Sequence, residues 1–191
     1  HVEGLIEDIT ERKLYELDLQ RRATVDVLTG VPNRFLFLDR LAQTLAHASR
    51  YKEHMAVMFM DLDEFKQVND TYGHHTGDLL LAEVAGRIKR RIRASDTLGR
   101  LGGDEFGVIL SRVKVPDAAA NVAEDIVECL VEPFDIEGRE CLVGVSIGVS
   151  CYPMDGESAD ALLNHADTAM YQAKRAGGRR YVFASTVESS G

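Results

Sequence analysis

Six uninterrupted apolar residues, Met55-Ala-Val-Met-Phe-Met60, end abruptly at the acidic stretch Asp61-Leu-Asp63-Glu64. A run this short cannot cross a bilayer, which takes about 20 apolar residues in a helix. It reads instead as a strand buried on both faces. Such a strand needs helices packed above and below its sheet.

The segments around it have the right periods. Residues 33–51 read as a helix with Phe35, Leu38, Leu41, Leu45 and Ala48 on one face. Residues 76–93 repeat apolar positions at three and four, as do 116–131 and 158–176. Thr97–Leu101 and Phe106–Leu110 read as short strands joined by a turn at Gly102-Gly103. Cys141–Ser150 reads as another strand, and Tyr181–Phe183 as an edge strand. The core order β-α-β-β-α-β is the split plan of ferredoxin-like folds. The expectation is therefore an α/β (α+β) domain with a central, mostly antiparallel sheet flanked by helices.

The chain has 191 residues, enough for one domain and a short attachment. Residues 1–25, charged and without Pro, read as a connecting helix; 26–185 form the domain and 186–191 a tail. The 31 acidic against 22 basic residues give a net charge of −9. This argues against nucleic-acid partners and attachment to anionic membranes. No signal peptide is visible. Three cysteines without paired spacing read as buried free thiols of a cytoplasmic protein.

Two acidic clusters fall at strand ends. Asp61, Asp63 and Glu64 follow the first buried strand. Asp104 and Glu105 follow the glycine turn. A split βαβ sheet places that hairpin beside the first strand, so Asp61 and Asp104 should face one site. Carboxylates there suit a hard cation such as Mg²⁺. Residues 65–78 are polar, contain two glycines and read as a loop before a helix. Its Asn69 and Asp78 have the chemistry to pair with a guanine edge, although Asp78 also suits a helix cap.

Together these residues resemble the GGDEF domain family of diguanylate cyclases. Arg100-Leu-Gly-Gly-Asp-Glu-Phe106 carries the name-giving motif. Asp26-Val-Leu-Thr-Gly-Val-Pro-Asn-Arg34 is similar to the family's opening motif. Residues 61–78, Gly148–Pro153 and His165–Lys174 are similar to three others. The resemblance implies the palm-type domain of nucleotidyl cyclases. It assigns Mg²⁺ (or Mn²⁺) to Asp61, the Leu62 carbonyl and Asp104, with Glu105 assisting the metal or deprotonating the attacking hydroxyl. It assigns guanine recognition to Asn69 and Asp78. Phosphate contacts fall to the backbone of Glu64 and Phe65 and to Lys66 and Lys174. It implies GTP as substrate, cyclic di-GMP as product and a homodimer as the active species. Asp78 favours GTP over ATP because adenine lacks the N1–H donor.

Arg93-Ala-Ser-Asp96 resembles the family's RxxD product-inhibition site. One departure stands out. The position four residues beyond Lys174, where the family often has a phosphate-binding Arg, is Gly178, and Arg179 follows it. That departure keeps open a second reading, a silent module that binds nucleotide and regulates a neighbouring phosphodiesterase (EAL) domain. The N-terminal residues resemble the exit of a PAS sensor. The histidines are not read as metal ligands, since carboxylates suit Mg²⁺ better.

Overall fold

The computed structural model describes residues 23–113 and 116–187, so the PAS-like segment and the connecting helix lie almost wholly outside the described residues. The apolar run continues through its acidic end as β1, Met55–Asp63. Its residues alternate between two cores. Ala56, Met58, Met60 and Leu62 pack with α3 (His74–Lys89) and α4 (Pro116–Cys129). Met55, Val57 and Phe59 pack with α1 (Arg34–Tyr51) and α5 (Ala159–Arg175). This period of two also fixes which way the acidic end points: Asp61 and Asp63 share the α1/α5 face.

β1 is the centre of a five-stranded sheet in the order β2-β3-β1-β6-β7, with β2 at Thr97–Gly102, β3 at Glu105–Leu110, β6 at Gly144–Tyr152 and β7 at Arg180–Phe183. All neighbours are antiparallel except β6 and β7, which run parallel. The first four strands reproduce the split βαβ order read from the sequence. Two strand glycines have a packing reason. Phe37 lies over both, and a Cβ on Gly99 or Gly107 would sit 2.7 or 2.5 Å from its ring. Gly148 lets α5 lie directly on β6, since a Cβ there would be 1.8 Å from the Ala166 carbonyl oxygen.

The structure corrects the sequence reading in four places. The segment 65–78 is not a loop: α2 (Phe65–Tyr72) forms there, breaks at Gly73, and α3 follows at once. Phe65 and Val68, three apart, are buried and hold α2 down. Asp78 therefore lies inside α3 and does not cap it. The hairpin turn is Gly103-Asp104, not Gly102-Gly103, because Gly102 already pairs with Glu105. Finally, a small hairpin of β4 (Phe134–Ile136) and β5 (Arg139–Cys141) precedes β6, so Cys141 belongs to β5 and the long strand starts at Gly144. The short α6 (Ala184–Val187) closes the described chain.

Candidate active site

Register builds the centre of the site. Asp61 lies opposite Glu105 on β3 and opposite Ser146 on β6. Directly opposed residues share a face, so the two carboxylates converge on the α1/α5 side. Asp104 occupies the turn itself; its carbonyl accepts from the Leu62 amide at 3.2 Å, which ties the turn to the end of β1. Gly103, at φ 45°, supplies the left-handed conformation this two-residue turn requires.

The hairpin is anchored from outside. Arg100 Nε donates to the Gly103 carbonyl at 2.9 Å, and its Nη1 reaches both oxygens of Asp26 at 3.1 and 3.3 Å. Asp26 also accepts from the Thr29 amide and hydroxyl. Asn33 caps α1 through the Leu36 amide. The opening motif is therefore a brace for the acidic turn. Burial works against the Asp26 charge, but the Thr29 hydrogen bonds and Arg100 outweigh it and hold its carboxyl below the usual range.

From the other layer, Lys174 on α5 reaches Asp61, with Nζ 2.6 Å from Oδ1. Burial raises the Asp61 carboxyl; the Lys174 hydrogen bond and charge oppose it, and the Asp104 and Asp63 charges add to it. Glu105 is raised by burial first, then by Asp61, Asp104 and Asp167. Burial disfavours the Lys174 charge, but the contact with Asp61 and the Asp104 and Asp63 charges raise its pKa overall.

Next to this centre, Asp63 is fully used. Its Oδ1 accepts from Ser146 Oγ at 2.7 Å and its Oδ2 from the Arg179 amide at 2.8 Å. A Cβ on Gly178 would lie 2.8 Å from that Oδ2, and Gly178 adopts φ 71°. That crowding and the positive φ favour glycine at 178. Arg179, itself left-handed, places its guanidinium 2.7 Å from Glu64 Oε2. The sequence reading left Arg179 without a role; the glycine pair before it was the available signal. Glu64 is also left-handed and opens α2, where Phe65 is buried and Lys66 exposed. Asn69 lies over the first turns of α3, since a Cβ on Gly77 would be 1.9 Å from its Oδ1. That brings Asn69 beside Asp78, which is exposed.

The Arg93–Asp96 pair lies elsewhere. Arg93 and Asp96 flank the turn after α3, at the opposite end of the β2–β3 hairpin from Asp104. Arg87 is not a free cation of that helix end. It donates to the Cys129, Glu132 and Pro133 carbonyls, and its guanidinium lies 3.5 Å from the Phe134 ring centroid.

The chemistry of the donor set fits a hard divalent cation. It is all oxygen, mutually repelling and partly desolvated. Among the described residues no three acidic, His or Cys side chains form a ready cage. Mg²⁺ does not need one, because it is commonly held by one or two carboxylates together with substrate phosphates.

A mostly antiparallel sheet flanked by helices, with carboxylates gathered at one end, defines a mixed α/β domain with an acidic site. Residues 23–180 match the family model described as "Diguanylate cyclase, GGDEF domain", and the chain belongs to the GGDEF domain family. It is 49% identical over 166 residues to the bifunctional diguanylate cyclase/cyclic di-GMP phosphodiesterase MucR of Pseudomonas aeruginosa, covering 87% of this chain but only 24% of MucR. The isolated GGDEF domain of TpbB (YfiN) from the same organism superimposes with a TM-score of 0.82 at 38% identity, covering 84% of this chain and 94% of that domain. The coiled coil and GGDEF domain of DgcB from Caulobacter crescentus, in complex with c-di-GMP, gives a TM-score of 0.82 at 30% identity, covering 95% and 98%. Among the described residues no helix is long and apolar enough to cross a membrane.

Proposed function

We propose that this chain is a diguanylate cyclase that condenses two GTP into cyclic di-GMP and pyrophosphate across a homodimer. The observation that carries the reading is the convergence of Asp61, Glu105 and Asp104 at one end of the sheet, with Lys174 reaching the same point from α5. Asp61, the Leu62 carbonyl, Asp104 and Glu105 would hold Mg²⁺. Bound there, the metal would acidify the 3′-hydroxyl and offset charge at the α-phosphate.

The remaining work falls to the chain's own groups. Glu105, made more basic by burial and its acidic neighbours, accepts the proton of the 3′-hydroxyl at its carboxylate. Lys174 and Lys66 balance the triphosphate charge. Asn69 accepts from or donates to the guanine edge, and the Asp78 carboxylate accepts from N1–H and the 2-amino group. Each protomer presents one GTP, and apposing two such faces supplies the proximity the condensation needs. Arg93 and Asp96 bind the product and restrain turnover.

The test is product formation. With GTP and Mg²⁺ at high protein concentration, chromatography should show cyclic di-GMP, and Asp104→Ala should abolish it. A verified dimer that binds GTP yet forms no product would overturn the cyclase reading. That outcome would favour a silent regulatory module, for which the engagement of Arg179 by Glu64 is the motivating observation.

A further inference from the structure

Both carboxylate oxygens of Asp96 are engaged by backbone. Its Oδ2 accepts from the Arg93 amide at 3.0 Å and its Oδ1 from the Ser111 amide at 3.3 Å. Ser111 Oγ in turn donates to the Ser95 carbonyl at 3.3 Å. These bonds join the turn after α3 to the end of β3, and so set Arg93 beside the next residue, Arg112.

Arg112 is unusual in two respects. Its backbone is left-handed, at φ 55°, a conformation that side-chain-bearing residues rarely adopt. Its side chain is 70% exposed, with Nε only loosely paired to Glu53 Oε2 at 3.4 Å. The same Glu53 oxygen lies 3.4 Å from His47 Nδ1. Arg93, Arg112, His47, Ser95 and Ser111 line one cleft of about 600 Å³, and Glu53 is its single acidic member. On its other side Arg93 lines a second cleft of about 580 Å³, together with Arg40 and Lys89.

We infer that Arg112 is a second anion-binding residue of the product site and that Asp96 positions it together with Arg93. The ligand class is a cyclic dinucleotide, whose two phosphodiesters give separate guanidinium groups an anion each. Guanidinium forks match phosphate oxygens and are weakly hydrated, so they release a loose counter-ion readily. Arg112 exchanges Glu53 for a ligand phosphate. This inference rests on the product-site reading of Arg93 and Asp96.

Calorimetric titration of the chain with cyclic di-GMP tests it. Arg112→Asn removes the guanidinium while suiting a left-handed backbone. It should weaken binding about tenfold or more, as expected for a lost charge-assisted hydrogen bond. Glu53→Gln should tighten binding, a gain that misfolding cannot mimic. Asp96→Ala should weaken binding in the wild type and have a much smaller effect in Arg112→Asn, because coupled residues are not additive. Unchanged affinity in both Arg112→Asn and Glu53→Gln overturns the role of Arg112. If Arg93→Ala is also silent, the product-site reading itself fails; if Arg93→Ala alone abolishes binding, only this inference does. Pyrophosphate binding as tightly as the dinucleotide would mark a simple anion trap and overturn the ligand assignment.

Discussion

At the scale of single residues, position 178 shows how strictly the site is built. Gly178→Ala would place a methyl against the Asp63 carboxylate at φ 71°. We expect a loss of about 1–3 kcal/mol in stability, from backbone strain and crowding, measured by urea unfolding. Product formation should fall with it, because Asp63 lies beside Asp61 at the end of β1. Asp26 gives a pH prediction. Its folded-state pKa is depressed, so the stability it contributes is present above the unfolded value and is lost as pH falls through the folded one. Melting curves taken below about pH 4 should therefore decline less steeply in Asp26→Asn than in the wild type. The roles of Asp26 and Asn33 were legible only as a motif. That Asp26 braces the acidic turn through Arg100 depends on a contact spanning 74 positions, which no local pattern reveals.

At the scale of elements, most spans were read closely, short β2, β3 and β7 included, although the helix read as 76–93 runs only from His74 to Lys89. α1, α4 and α5 fall within one or two residues of the spans read from the sequence, because each buries a continuous apolar face. α2 was missed: its eight residues carry just two buried side chains, and polar residues between them mask the period. The β4–β5 hairpin was missed because each strand has three residues. Arg87 belongs to this scale. It satisfies carbonyls at and just beyond the end of α4 and covers the Phe134 ring at the start of β4. Arg87→Ala should cost about 2–3 kcal/mol in chemical denaturation, from lost hydrogen bonds and the cation–π contact. The purified variant should keep its nucleotide affinity, since Arg87 is remote from Asp61 and Asp104 in the sheet.

At the scale of the whole molecule, a net charge of −9 stands against a polyanionic substrate. The proposed resolution is local: the acidic strand ends become attractive to phosphates once a divalent cation binds, while Lys66 and Lys174 add positive charge nearby. GTP affinity measured by calorimetry should fall at least about tenfold when EDTA replaces Mg²⁺, as expected when a phosphate-bridging cation is lost. An equal affinity in both buffers would contradict a metal-bridged site. The alternation of strands and helices, the acidic pair and the family were legible in the residues alone, because apolar period and short motifs are local properties of the chain. Long-range packing set Asp61 opposite Glu105, brought Lys174 onto Asp61, crowded position 178 against Asp63, and tied Arg93 to the end of β3 through Asp96. Those facts follow from strand register and from helices crossing the sheet, and a one-residue slip of β3 would have turned Glu105 to the opposite face.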